Sequence, residues 1–380
     1  MRKEVLLTPG PSQVPHRIAA AGAVPIMHHR SVEFGEIFKE ITPKLKKVFG
    51  TEGDVFMLSA SGTGAMEACV INTLSPGDRV VVGIAGKFGE RFSQMCSTWG
   101  IDVIEINVEW GRIVTPEQIK DILSKEKDIK AVFITYSETS SGVMHPLEEI
   151  GPIVDDYGAL FIVDAVSSLA GMEMRMDDWK VDLVATGSQK ALMLPPGMAF
   201  VGIRGEKAWK AIEESTIPKF YFDLKKYKKS FDKSGDTPFT TPVSLCLSLN
   251  ESLDMLLEEG LDNVYARHKK LAAATRAGVQ ALGLALFSEH LAYVETVFAV
   301  PEGVDGKKIV STMTNKYGVR VAGGQDPYKG KIVRIAHMGY ATHHDVMLAM
   351  TALEMTLREL GYECDLGAGS RAAEEVFLSD

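Results

Sequence analysis

The chain has 380 residues, 46% of them hydrophobic and 24% charged, with a formal net charge of −9. At roughly 100 to 200 residues per domain this length fits two or three domains around a large core. The acidic balance excludes nucleic acid as the main partner, since phosphate-backbone binding needs clustered Lys and Arg, and no run approaches the ~20 apolar residues of a membrane span.

Residues 1–17 read as an N-terminal arm. The basic start Met1-Arg2-Lys3 breaks at Pro9-Gly10 before a signal-peptide core can form, so a cytoplasmic chain is expected. Pro9, Pro11 and Pro15 disfavour helix, and a first helix is expected near Arg17. From about residue 53 to 203 short β-type runs alternate with helical patterns. Strands are predicted from Val55 to Ser59, Arg79 to Val82, Asp102 to Ile106, Ala131 to Thr135, Leu160 to Asp164, Leu183 to Thr186 and Ala199 to Ile203. Helices are predicted from Gly64 to Thr73, Phe88 to Trp99, Pro116 to Lys125 and Leu147 to Tyr157. That alternation predicts an α/β fold with a mainly parallel seven-stranded sheet, helices on both faces and a ligand beyond the carboxyl ends of the strands.

Lys225-Lys226-Tyr227-Lys228-Lys229 is the one basic run and reads as a solvated helix face or loop. Ser244 to Glu259 reads as a helix. Leu261 to Leu282 continues at helical spacing, long enough to bridge two domains. A smaller α+β unit follows, with strands from Tyr293 to Val300 and Lys331 to His337 and helices from Gly306 to Tyr317 and Thr342 to Leu360. The predicted division is a large ligand-binding domain over 18–260 and a small C-terminal domain over 261–380. Cys69, Cys96, Cys246 and Cys364 form no Cys-x-x-Cys pair and read as reduced thiols without a metal site.

The most informative residue is Lys190, in Gly187-Ser188-Gln189-Lys190, delivered onto a turn by a short apolar strand. Upstream, another apolar strand ends in Asp164, 26 positions earlier. A strand-end Asp and a strand-end Lys suit pyridoxal 5'-phosphate (PLP), with the lysine holding the aldehyde as a Schiff base and the aspartate keeping the pyridinium nitrogen protonated. The plain alternative is a buried Asp and a snorkelling Lys. Ser61-Gly62-Thr63 opens a helix after the first sheet strand, where backbone N–H groups and hydroxyls suit a phosphate; tight packing of small residues explains the segment equally well. It lacks the patterns of dinucleotide and ATP loops. Phe88 can stack on a planar ring or simply enter the core. Thr139, in Glu138-Thr139-Ser140-Ser141-Gly142, offers a hydroxyl to the ring, or to its own backbone.

Together with Thr8-Pro9-Gly10-Pro11, Asp164-Ala165-Val166-Ser167-Ser168 and Pro195-Pro196-Gly197, these motifs stand in the order seen in class V aminotransferases. From about Leu6 to Leu360 the chain resembles the branch that contains alanine-glyoxylate, serine-glyoxylate and serine-pyruvate aminotransferases and archaeal proteins labelled aspartate aminotransferase. The resemblance implies the PLP-dependent transferase fold type I, a homodimer, and small amino acids and 2-oxo acids as substrates. It implies Lys190 as Schiff-base lysine and proton shuttle, Asp164 as pyridinium partner, and Val166 and Phe88 on the two ring faces. It further implies Ser61, Gly62, Thr63 and Gln189 as phosphate or ring contacts and Thr139 as the hydroxyl near the ring. Thr240 and Thr241 fall where the family brings a threonine from the other subunit to the phosphate; Thr237 stands where some members have Tyr. Arg334 resembles the family's arginine for the substrate carboxylate, a role that a planar fork of donors suits. An ion-paired strand arginine is the plain alternative. His28, His29 and Arg30 fall at the family's active-site entrance, and two histidines alone do not complete a zinc site.

The expected reaction is transamination between alanine or serine and glyoxylate or pyruvate, with an aspartate aminotransferase as runner-up. Cysteine desulfurases share the fold, yet Gln189 precedes Lys190 here and no cysteine lies between Cys246 and Cys364. A non-catalytic accessory subunit, a label some relatives have carried, is the reading from another class; it does not require Lys190, Asp164 and Arg334 together.

Overall fold

Apolar runs and short caps build the first half of the chain around one sheet. The computed structural model describes residues 4–379; Met1 to Lys3 of the predicted arm, and Asp380 of the predicted C-terminal domain, lie outside the described residues. The arm contains β1 (Val5–Leu6), bends over residues 8–11 rather than staying extended, and forms no helix before α1 (His16–Gly22). α2 (Val32–Phe49) was not expected from the sequence, its pattern masked by Pro43. Ser31 caps it by accepting from Phe34 N, and Gly50, at φ 63°, ends it in the left-handed region that favours glycine.

The alternating region then runs β2 (Asp54–Leu58), α3 (Gly62–Thr73), β3 (Arg79–Ile84), α4 (Lys87–Thr98), β4 (Asp102–Asn107), α5 (Pro116–Lys125) and β5 (Ile129–Thr135). A hairpin of β6 (Ser137–Glu138) and β7 (Val143–Met144) precedes α6 (Leu147–Tyr157), β8 (Leu160–Asp164), β9 (Leu183–Gly187) and β10 (Ala199–Ile203). The sheet order is β2-β10-β9-β8-β5-β3-β4, and the strands are parallel except β10, which is antiparallel to both neighbours. The segment between β9 and β10 is spent on the Lys190 turn rather than on a crossover helix. Every residue of β8, β9 and β10 is buried, as strands covered on both faces must be.

α7 (Gly205–Glu214), α8 (Leu224–Ser234) and α9 (Val243–Glu259) follow. On one sheet face Met66, Phe92, Ile212 and Tyr227 form a core with Phe133; on the other, Leu45, Ile119, Ile150 and Leu249 pack with Phe161. The basic run lies in α8, with Tyr227 facing inward and Lys225 and Lys229 exposed.

α10 (Leu261–Ala281) puts Val264 into that second core and Leu271 and Val279 into a third. The third core joins β11 (Glu295–Ala299), α11 (Gly306–Asn315), β12 (Val319–Arg320), β14 (Ile332–Ala336), α12 (His343–Glu359) and α13 (Ala368–Leu378), and β13 (Ala322–Gly323) pairs with β14 beside it. β11, β14 and β13 form an antiparallel sheet, and β12 pairs in parallel with β1, so the arm is tied to this C-terminal unit. The helices predicted to end at Tyr317 and Leu360 stop at Asn315 and Glu359, and α13 was not predicted.

Candidate active site

β8 and β9 run side by side in parallel with Asp164 opposite Ala185, which brings Asp164 and the Lys190 turn to the same carboxyl edge. Both side chains are buried. Asp164 Oδ1 accepts from Val166 N at 2.8 Å. Burial pushes its carboxyl up to about 7, against the pull of the Val166 bond. Burial pushes the Lys190 amine the other way, below the ordinary lysine value, while the carboxyls of Glu295 and Asp164 oppose that shift.

The N-terminal arm crosses the lysine turn. Lys190 Nζ donates to Pro9 O, Ser12 Oγ donates to Lys190 O at 2.7 Å, and Ser12 N donates to Gln189 O at 3.0 Å. Gly10 is needed there: its φ is 97°, and a Cβ would lie 2.6 Å from Lys190 Cδ.

Ser61, Gly62, Thr63, Phe88, Thr139, Val166, Gln189, Lys190 and Arg334 all line one cavity of about 360 Å³. Ser61 is the N-cap of α3 but its side chain does not cap, which leaves the first N–H groups of the helix for an anion. Gly62 lets the helix approach closely, since a Cβ would stand 2.6 Å from Val166 Cγ2. Thr139 Oγ1 and Ser167 Oγ are 2.8 Å apart in a hydrogen bond. Arg334 enters from β14 of the C-terminal unit; its Nε donates to Gly323 O at 3.0 Å and its Nη1 to Thr139 O at 2.8 Å, which fixes the guanidinium plane. A buried acid, a buried amine, an open helix N-terminus with hydroxyls, and an aromatic and a branched side chain form a donor set that fits PLP.

Within a single chain Thr240 and Thr241 lie away from this cavity. Thr240 is exposed, whereas Thr241 is buried and hydrogen-bonded to Thr237, whose Oγ1 also donates to Phe239 O at 2.8 Å. Arg30 pairs with Asp236 and donates to Thr237 O at 3.2 Å. His28 and His29 lie side by side with ring centroids 4.7 Å apart and planes tilted by 35°, and they do not line the cavity. Among the described residues no cluster of three His, Cys, Asp or Glu could hold a metal, and no helix is long and apolar enough to cross a membrane.

Three charged groups escaped the sequence reading. Arg91 lines the cavity, with Nη1 donating to Thr63 Oγ1 at 3.0 Å and its guanidinium 4.8 Å from the Phe88 ring centroid; its position three residues after Phe88 on a helix was the available signal. Glu138, inside a motif valued for its hydroxyls, is fully buried beside the start of α4. Burial pushes its carboxyl up, but four donors, two on each oxygen, favour the ionised form, and that geometry decides for the carboxylate. Glu295 is buried in β11, and neither of its oxygens has a hydrogen-bond partner among the described residues. Burial pushes it up, with Arg334 and Lys190 pulling against it.

Residues 12–348 match the family described as aminotransferase class V. The chain is 44% identical to a Synechococcus protein named soluble hydrogenase, small subunit, over 98% of each chain. It is 38% identical to the serine–glyoxylate aminotransferase of Methylorubrum extorquens, over 97% of this chain and 94% of that one. With the L-aspartate–glyoxylate aminotransferase of Paracoccus denitrificans the identity is 37%, over 98% and 96%. The solved pyridoxamine-pyruvate aminotransferase of Mesorhizobium loti has a TM-score of 0.95 at 29% identity, covering 99% of this chain and 97% of that one. This chain therefore belongs to the class V aminotransferases and is a PLP-dependent transaminase.

Proposed function

We propose that the Lys190 cavity moves an amino group between alanine or serine and glyoxylate or pyruvate. The observation that carries this reading is that Lys190 and Arg334, from opposite sides, line one small cavity with Asp164 buried beside it. When bound there, PLP supplies an electron sink for charge that develops at the substrate α-carbon. Lys190 binds it through Nζ and then moves the α-proton, both of which need the neutral amine that burial favours. Arg334 orients the α-carboxylate. Asp164 would hold the ring nitrogen's proton, Val166 and Phe88 would flank the ring, and Thr139 would offer its hydroxyl beside it. Ser61, Gly62, Thr63 and Gln189 would hold the phosphate or the ring.

Thr240 and Thr241 complete the phosphate site of a second copy in a homodimer. The exposed apolar side chains Val24, Ile26, Val32 and Phe220 support such an assembly, because a lone chain rarely leaves so many large apolar groups in water. The cytoplasmic placement rests on the four free cysteines.

The relatives named for serine and for aspartate share glyoxylate and differ in donor, which favours glyoxylate as acceptor. One observation favours aspartate as a second reading: Arg91 brings another guanidinium to the cavity. Its bond to Thr63, at the start of α3, supports grouping it with the proposed phosphate contacts instead, so the small donors stay first. An assay of Ala, Ser and Asp against glyoxylate, pyruvate and 2-oxoglutarate tests the choice. Aspartate with 2-oxoglutarate outpacing alanine or serine with glyoxylate would reverse it.

A further inference from the structure

The first turn of α4 has no cap of its own. Its N-cap, Gly86, has no side chain to offer, and the N–H groups of Lys87, Phe88 and Gly89 have no partner within the helix. All three are met from the β6 hairpin. Phe88 N and Gly89 N both donate to Glu138 Oε2 at 3.0 Å, and Lys87 N donates to Ser140 Oγ at 2.9 Å. Ser140 closes the clasp, since its N donates to Glu138 Oε1 at 3.2 Å and its Oγ donates to the same oxygen. The fit is tight: a Cβ on Gly86 would lie 2.7 Å from Glu138 Cδ, and one on Gly89 would lie 2.6 Å from Gly83 O. A buried carboxylate at a helix N-terminus also complements the helix dipole.

The residue at the middle of this clasp is Phe88, whose ring lines the cavity with the Arg91 guanidinium 4.8 Å from its centroid. We propose that Glu138 is the positioning residue for the Phe88 ring, locking the first turn of α4 so that the ring keeps a fixed pitch against the cofactor. This rests on the reading of Phe88 as the residue that flanks the cofactor ring. Without the clasp three backbone donors lose their acceptor, the turn frays, and the direction of the Phe88 Cα–Cβ bond is no longer set. Glu138 then acts on the cofactor through Phe88 and not by contact.

A double-mutant cycle on the holoenzyme separates this from a purely structural role. The variants are E138Q, F88L and their combination. In E138Q the amide oxygen still accepts from Phe88 N and Gly89 N, but the NH₂ group faces the Ser140 donors, so the clasp loosens without being emptied. The readouts are the rate of cofactor release into cofactor-free buffer, the visible circular dichroism of the bound cofactor, and Tm. E138Q is expected to speed release about tenfold, the scale of one aromatic stacking contact, and to reduce the dichroism. In the F88L background the same change should alter release by less than about twofold, with an undiminished Tm shift. Equal effects in both backgrounds would make Glu138 structural only and overturn the proposal. F88L that leaves release and dichroism unchanged would overturn the stacking reading and the proposal with it. If E138Q does not fold, S140A removes the hydroxyl that links Lys87 N to Glu138 and runs the same cycle.

Discussion

The two sides of the cavity hold their buried charges by different means. At the carboxyl edge of the large sheet, Glu138 accepts from three backbone N–H groups and the Ser140 hydroxyl, and Asp164 accepts from Val166 N, so directed hydrogen bonds fix the position of each carboxyl group. On the β11–β14 sheet of the C-terminal unit, Glu295 has no hydrogen-bond partner among the described residues, and Arg334 donates to backbone carbonyls rather than to it. Glu295 is balanced by charge alone, from Arg334, Lys190 and Arg276. Hydrogen bonds are directional and local, whereas charge balance acts over several ångströms. The large sheet therefore holds its carboxyl groups by directed hydrogen bonds, whereas Glu295 on the facing sheet is held by charge balance.

The most severe way to break the positional side is Lys190→Ala. Its expected cost in turnover is about 10²- to 10⁴-fold or more, the range of a lost general base. The fold should survive, since a buried amine is removed. Visible absorbance after addition of PLP, and single-turnover kinetics, check it; unchanged transamination would remove Lys190 from the site. On the facing side, Arg334→Lys should raise KM about tenfold or more for donor and acceptor together, because an ammonium cannot reproduce the planar fork and Thr139 O loses its donor. Unchanged KM for both would move the carboxylate site elsewhere.

Protonation sharpens the contrast. Asp164 and Glu295 both have carboxyls raised by burial, Asp164 from 3.8 to about 7. Between those two values the folded chain keeps a proton that the unfolded chain has released, so each group lowers stability as pH rises. The Tm of the cofactor-free protein should fall from pH 5 to pH 8. Glu295→Gln should flatten that fall by about 2–4 °C. Asp164→Asn should flatten it less, because its Val166 bond already favours the ionised form. The reverse ranking would contradict the contrast between the two sheets. Lys190 gives the opposite sign. Its amine is lowered from 10.5, so the rate at which cofactor-free protein takes up PLP should rise with pH and reach half its limit below 10.5, as stopped-flow absorbance would show.

The large-sheet side was legible in the sequence where an apolar strand ends in a charged residue, as at Asp164, or leads into one on the following turn, as at Lys190, and where small residues open a helix, as at Ser61 to Thr63. Such signals are local. Glu138 was hidden because the α4 donors it meets, Phe88 N and Gly89 N, lie about 50 positions upstream, and Glu295 because a charged residue in a strand pattern reads as facing solvent. β12 and β13, two residues each, exist only through their pairing with β1 and β14, and no local pattern announces them. The turn of α2 around Pro43 shows the converse, a helix kept by burial of Phe38, Ile41 and Leu45 against the usual effect of proline.

Arg91 is the mildest test and the one that separates the two substrate readings. Its guanidinium bonds Thr63 Oγ1 at the start of α3 and lies near the Phe88 ring, both on the side of the large sheet, whereas Arg334, the proposed carboxylate arginine, comes from β14. Arg91→Gln removes the charge and keeps a donor within reach of Thr63. If Arg91 serves the phosphate end, cofactor release should quicken only several-fold, because the helix N-terminus and its hydroxyls remain. KM for alanine, serine and aspartate should then stay alike. If Arg91 instead receives the second carboxylate of a dicarboxylic donor, KM for aspartate alone should rise about tenfold. A set of KM values for the three donors, measured beside the release rate, reads both outcomes from one preparation, and a selective loss of aspartate would put the donor's far end on the large-sheet side of the cavity.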